Sequence, residues 1–372
     1  MNEFSSFLGA VKKSERTDQY LILGAMYCLD AQISPITAKQ ITSLVKLHLG
    51  SNTPSNVNAS LRKYVGLVSP SQQGPHLLWS LTSEGLNRLR SLSGLQLKSE
   101  TDLNEFESDI GIICALEFPE FAAVMRAFNE NPWNDISNPR FTHVYRETSI
   151  NVKSGETLRI IGTTSTSMGL TAAAIATTQL IMQFKPRIVV IVGIAAGTRS
   201  GGKQFGDILT ADPSIDYNSG KVVDDKGIRD FQPDPYPIGL NPRLRSVLGR
   251  YRGNHSVFEK IREQWNGSTP SKNNHLHVGP LGAADQVIDD ASRIIEIQKN
   301  WRKLIGVEME TYGVYRAVHE APEPKPRVVS FKSVCDFASE KTDSWQEYAA
   351  YTAASFSYEF LKNEWAALWP QK

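Results

Sequence analysis

Residues Arg327–Ala354, RVVSFKSVCDFASEKTDSWQEYAAYTAA, decide how the chain reads. The stretch opens on Val328 and Val329 and continues through Phe331 to Val334, a β-branched and aromatic run that predicts a buried strand. It breaks at Cys335-Asp336 and restarts as an Ala- and Tyr-rich helix near Gln346. A strand that delivers one carboxylate at its C-terminal end is where α/β sheets place their chemistry. The rest of the chain is read as a scaffold and a pocket for Asp336.

Bulk composition excludes several classes. At 372 residues the chain holds two or three domains. Net charge is +1, so no global field drives binding to nucleic acid or membrane. Residues 1–100 carry 10 Lys and Arg against 6 Asp and Glu, a mildly basic segment before a mildly acidic remainder. Cys28, Cys114 and Cys335 lie far apart without a CxxC pair, which argues against a disulfide framework and a cysteine zinc site. The start lacks a basic-then-apolar pattern, and no apolar run approaches the roughly 18 residues of a membrane helix. The expected location is the cytoplasm.

Residues 17–31, 37–45 and 55–63 read as three short helices, the third after a Gly-Ser-Asn-Thr-Pro turn. GLVSP and HLLWSL read as two strands joined by a polar Ser-Gln-Gln-Gly-Pro, and TSEGLNRLRSL restarts a helix. This pattern, over about residues 15–93, resembles a winged helix-turn-helix domain. DNA would then meet Ser55–Lys63 in the major groove. That segment offers only Arg62 and Lys63 as cations, so a sensor or protein-interaction domain over 1–100 is the favoured reading. Residues 101–108 read as a linker.

From Asp109 to Lys372 the character changes. DIGIICALEFPEFAAVMRAF predicts a strand running into a helix. A strand, small-residue turn and Ala-rich helix follow over 156–184, then the buried strand PRIVVIVGIAAG. GDILTAD and KVVDD are further strands, and Pro-rich 231–243 is expected to be irregular. HVGPLGAADQVIDD, LIGVEMETYGVYRAV and the 327–354 stretch complete a three-layer α/β domain.

Four segments in this order carry a resemblance: GIICALEFPEFAAV, VVIVGIAAG, GVEMETYGV and SVCDFASEKTD. They look like the nucleoside phosphorylase/nucleosidase superfamily, nearest its 5′-methylthioadenosine/S-adenosylhomocysteine nucleosidase-like branch. CDFASEKTDSWQEYAAYTAA resembles the version found in multidomain immune-type proteins. VEME followed some twenty-five residues later by a strand-end Asp is a specific combination. The resemblance implies a central twisted mixed sheet, a homo-oligomer, no cofactor, and cleavage of the bond between a base and C1′ of ribose. Water or phosphate is the nucleophile.

Cleavage of a purine N-glycosidic bond needs a protonated leaving base and a stabilised, oxocarbenium-like ribose, tasks that carboxyl groups share in glycoside hydrolysis. By resemblance Asp336 is the acid, giving a proton to purine N7. A raised pKa suits that task, and burial at a strand end supplies it. Glu310 accepts the ribose hydroxyls, since one carboxylate takes both. Met309 packs under the sugar, with Val307 and Cys335 beside these groups. Glu120 or Glu117 orients the attacking water. The family position, four residues after the strand-end Ala115, holds Pro119 here, and one inserted residue would restore Glu120. Gly193, Ile194 and Ala195 line the ribose side, where small residues allow close backbone approach. Met168 and Gly169 match the turn at the nucleophile, and Gln286 and Val287 match the segment that packs on the base.

GTRSGGK (Gly197–Lys203) fits GxxxxGK, but Gln204 replaces Ser or Thr and a strand follows, so it is not read as a P-loop. Arg199 and Lys203 in this loop are candidate phosphate contacts. His275, His277 and Asp285 lack a convincing third metal ligand, and the mechanism requires no metal. The leading expectation is hydrolysis of an adenine nucleoside or nucleotide, as a nucleotide-depleting effector in antiviral defence. Phosphorolysis is second, because the sequence lacks a compact arginine cluster for phosphate. A DNA-binding regulator with a nucleoside-sensing second domain is the alternative from another class.

Overall fold

The computed structural model describes residues 3–9, 16–32, 34–50, 53–93, 105–199, 202–225, 228–337 and 343–369. The chain divides into two units, Met1–Glu105 and Phe106–Lys372. In the first, α1 (Glu3–Gly9) and α2 (Asp18–Cys28) precede β1 (Ile36–Thr37), α3 (Ala38–Leu49), α4 (Val57–Lys63), β2 (Val68–Gln73), β3 (His76–Leu81) and α5 (Ser83–Ser93). Thr37 starts α3 with a capping box: its hydroxyl accepts the Gln40 amide, and the Gln40 side chain accepts the Thr37 amide. The three strands form an antiparallel sheet in the order β1-β3-β2.

One boundary differs from the sequence reading. Ser71, Gln72 and Gln73, expected as a polar joint, extend β2 instead. Val68 is buried against the core with Trp79 and Leu81, and every later β2 residue is exposed, so the hairpin runs on past the core it starts from.

The second unit begins earlier than expected. Residues 101–104 of the expected linker lie outside the described residues, but Ser108 is buried in the first strand, where its hydroxyl donates to the Phe184 carbonyl at 2.7 Å. The strands are β4 (Ser108–Cys114), β5 (Asn134–Ile136), β6 (Tyr145–Asn151), β7 (Thr157–Thr164), β8 (Pro186–Gly197), β9 (Ile208–Asp216), β10 (Gly220–Asp225), β11 (Ile228–Pro233), β12 (Leu276–Ala283), β13 (Gly306–Glu308) and β14 (Arg327–Asp336). Nine of them form one mixed sheet in the order β13-β12-β9-β14-β8-β4-β7-β6-β5. β13 also pairs antiparallel with β8, so β8, β14, β9, β12 and β13 close into a ring.

The helices of this unit are α6 (Ala122–Ala127), α7 (Leu170–Phe184), α8 (Pro242–Leu248), α9 (Ser256–Glu263), α10 (Ala291–Asn300), α11 (Thr311–His319) and α12 (Gln346–Leu368). Successive residues of β14 face opposite sides of the sheet. Ser330 meets Tyr315 of α11 on one side, while Phe331 packs edge-on against Phe356 and Phe360 of α12 on the other. Burial on both faces explains why Val189–Val192 reads as a continuous apolar run.

The Pro-rich stretch is irregular only after Pro233. Before it, β10 and β11 form a hairpin in which Pro233 pairs with Gly220 at the open end, where a missing N–H interrupts no ladder.

Candidate functional site

Backbone ends place the site. Parallel β4, β8 and β14 end together, and antiparallel β13 brings Val307 beside Ala196, which in turn pairs with Asp336. A pocket of about 210 Å³ opens there. Among the sequence candidates it is lined by Glu120, Met168, Ile194, Ala195, Gln286, Val287, Val307, Met309, Glu310, Cys335 and Asp336.

Glu117 and Glu120 are placed differently, and one hydrogen bond shapes the turn that carries them. The Phe121 amide donates to the Leu116 carbonyl, five residues back, at 3.1 Å. This π-type turn over Glu117–Phe121 holds one residue more than an α-turn. The extra residue carries Glu120 inward. Its Oε2 accepts the Ala115 and Leu116 amides at 2.8 and 3.0 Å, and its Oε1 accepts the Ile194 amide at 2.8 Å. Glu117 points outward and pairs with Arg146 at 2.9 Å, so it takes no part in the pocket.

Behind the pocket lies a group that sequence reasoning missed. Lys332, fully buried in the middle of β14, places Nζ 2.9 Å from Glu310 Oε2 and 3.2 Å from Glu308 Oε2. Burial by itself would lower the lysine pKa, but Glu310, Glu308 and Glu120 together raise it, so Lys332 stays an ammonium. Burial raises the Glu308 carboxyl above its ordinary value, opposed by Lys332 and reinforced by Glu310. Glu308 also accepts the Glu310 and Thr311 amides at 3.0 Å, fixing the turn from β13 into α11. Glu310, the residue just before that helix, is 4% exposed. Its Oε1 accepts the Gly169 amide at 3.3 Å, and Lys332 holds its Oε2.

Asp336 differs from expectation in one respect. The strand is enclosed only through Cys335, a bulge lies between Val334 and Asp336, and the Asp336 carboxylate is half-buried at the pocket wall. Cys335 Sγ donates weakly toward Asp336 Oδ2 and the Ala195 carbonyl, at 3.4 and 3.5 Å.

Four further candidates, Gly193, Gly169, Arg199 and Lys203, stand outside the lining. Gly193 lies behind Glu120, and an added Cβ would come within 2.2 Å of Oε1. Gly169 acts through its amide on Glu310. Arg199 is carried away by the loop after β8, where its guanidinium covers the Phe337 ring at 4.7 Å. Lys203 Nζ donates to Thr198 Oγ1 at 3.2 Å. His277 pairs with Asp207 at 2.7 Å and not with Asp285, whose carboxylate accepts the Leu170 amide. Ala115, Leu116, Ala196, Ile288, Glu308 and Gln346 complete the wall without having been singled out. The available signal for Lys332 was a lone cation inside an apolar strand, and for Glu308 a second carboxylate two residues before Glu310.

The profile of the Phosphorylase superfamily matches residues 109–362. The chain is 31% identical over 295 residues to protein y4jS of Sinorhizobium fredii, covering 79% of this chain and 71% of that one. It is 24% identical over 298 residues to the ATP nucleosidase Cap17 of Escherichia coli, covering 76% of this chain and 57% of that one, so the match spans little more than half of Cap17. The fold is shared with a futalosine hydrolase of Helicobacter pylori, with a TM-score of 0.52 and 18% identity over 68% of this chain and 97% of that one.

Proposed function

Because the chain belongs to the phosphorylase superfamily, we propose that it hydrolyses the N-glycosidic bond of a purine nucleoside or nucleotide and releases the free base. One observation carries the reading: Asp336, Glu310 and Glu120 line a single pocket about 210 Å³ in volume. Asp336 gives its proton to N7 of the base, and the electron pair of the C1′–N9 bond leaves with the purine. Glu310 accepts the ribose 2′- and 3′-hydroxyls and steadies the positive charge growing on the sugar. Water bonds to C1′ and loses a proton to Glu120, whose oxygens are aimed by the Ala115, Leu116 and Ile194 amides. Met309 floors the sugar, and Gln286 and Val287 flank the base.

Water fits this site better than phosphate. Glu120, Glu308 and Glu310 give the wall three carboxylates beside the acid Asp336, and Lys332 is engaged by Glu308 and Glu310 behind them. A phosphate dianion would meet like charge. The test is base release from adenosine, methylthioadenosine, AMP and ATP, each with and without phosphate. Hydrolysis predicts equal rates in both; product only with phosphate identifies a phosphorylase.

The likeness to an ATP nucleosidase supports adenine as the base and a nucleotide as a substrate, hence a nucleotide-depleting role in antiviral defence. A nucleotide substrate supports a cytoplasmic protein. No helix among the described residues is long and apolar enough to cross a membrane. The second unit self-associates, as the exposed apolar side chains of Phe118, Val144, Ile175 and Met182 favour. The first unit receives the trigger or docks a protein partner. α4 supplies only Arg62 and Lys63 as cations, few for DNA.

A further inference from the structure

Asp285 stands in the segment after β12 that supplies Gln286, Val287 and Ile288 to the pocket. Its Oδ1 accepts the Leu170 amide at 2.6 Å, across 115 residues of sequence. Leu170 opens α7, and the residue before it, Gly169, turns its own amide onto Glu310 Oε1 at 3.3 Å. Adjacent amides of one turn are thus taken by two carboxylates, one from the segment after β12 and one from just after its neighbour β13. Gly169 has φ +117, and a Cβ on it would lie 2.5 Å from Asp285 Oδ1, so the approach needs glycine. The same turn contributes Met168 to the wall.

We propose that Asp285 is a positioning residue: it latches the 284–288 segment to the start of α7 and so sets the Gly169 amide against Glu310. The chemistry it serves is the ribose grip, and this part rests on the hydrolase reading above. The latch has three neighbouring supports. The Ala284 amide donates to the Glu308 carbonyl at 3.2 Å, the Tyr217 hydroxyl reaches the Gln286 carbonyl at 3.5 Å, and Ile288 is buried. These root the segment at both sides of Asp285 and leave its carboxylate to bridge the gap to α7. The start of a helix carries partial positive charge, which favours an anionic acceptor there. Without it, the 168–170 turn keeps its sequence but loses the bond that ties it to the 284–288 segment.

The experiment compares Asp285→Ala and Asp285→Asn with the wild type, in the native background and with Glu310→Gln. Two readouts are taken: kcat/KM for base release, and amide hydrogen exchange of a peptide spanning residues 166–172. Asp285→Ala should lower kcat/KM between about ten- and a hundredfold, the scale of misplacement by an ångström. Asp285→Asn, whose carboxamide oxygen accepts the same bond, should restore most of that loss. In Glu310→Gln the Ala substitution should cost less than about twofold, because the group it acts through is already impaired. Exchange at 166–172 should quicken about tenfold in Asp285→Ala alone. Equal losses in both backgrounds, or wild-type kcat/KM in Asp285→Ala, overturn the proposal. Should the wild type release no base, quickened exchange upholds the latch while the hydrolase reading falls; unchanged exchange removes the latch as well.

Discussion

Glu120 Oε1 accepts the Ile194 amide at 2.8 Å, so a side chain leaving the exit of β4 is pinned to the exit of the neighbouring strand β8. The contact is close because Gly193 leaves room for it. An alanine Cβ at 193 would sit 2.2 Å from Glu120 Oε1 and 3.1 Å from Lys332 Nζ. Gly193→Ala should therefore expel the carboxylate with Glu120 itself intact. Steady-state kinetics should record a fall in kcat/KM of about ten- to a hundredfold. Urea unfolding should record a loss of about 1–3 kcal/mol from overpacking. Wild-type kinetics in this variant would mean that Glu120 need not be where it stands.

Asp336 offers the opposite combination, a large kinetic effect with little cost in stability. Its side chain is half-buried and touches Cys335 Sγ at 3.4 Å. Asp336→Asn keeps the shape of the side chain and removes the proton to be given. Base release should drop by about 10²–10⁴, the range for a lost general acid. Unfolding free energy should move by no more than about 0.5 kcal/mol. An asparagine variant that keeps its activity would refute the role assigned to Asp336.

What the sequence disclosed follows from where each signal is written. Strands such as Val189–Val192 are legible because burial on both faces demands unbroken apolar residues. Asp336 stood out because it ends a strand, and Glu310 because VEME resembles the family motif. The choice between Glu117 and Glu120 was legible only in part: one inserted residue pointed to Glu120, but whether the turn closes four or five residues back is not written in the sequence. Only the Phe121–Leu116 bond settles that geometry. Lys332 was hidden for another reason. A cation inside an apolar strand contradicts the period that identifies the strand, and its partners Glu308 and Glu310 lie 24 and 22 residues earlier in the chain.

Lys332 should be the costliest of these side chains to replace. It is fully buried and holds Glu310 at 2.9 Å and Glu308 at 3.2 Å. Lys332→Met keeps the unbranched stem, one atom shorter, but strands those carboxylates, with Glu120 nearby. Removing one partner of a buried ion pair typically costs about 3–5 kcal/mol. Chemical denaturation should show that loss as a lowered midpoint. A midpoint equal to wild type would mean that the three carboxyls are held neutral and do not need the ammonium.

The pH dependence of the rate tests Glu120 directly. Burial raises its pKa above the ordinary 4.5, Lys332 opposes this, Glu310 adds to it, and the Ile194 and Leu116 amides again oppose it. A base that accepts a proton from water works in its ionised form, so kcat/KM should fall as pH drops through the raised value. The acid limb should therefore lie above 4.5. The same shift has a consequence for folding with its own sign. The folded protein binds this proton more tightly than the unfolded chain does, so stability declines as pH rises from the ordinary glutamate value through the raised one. Glu308 is raised for the same first reason, burial, and adds in the same direction. In Glu120→Gln the residual rate should lose its acid limb, and the decline in stability with pH should become shallower. Rate profiles and urea midpoints across the same buffers measure both. An acid limb at or below the ordinary value, or one unchanged in Glu120→Gln, would assign the proton acceptor to another group.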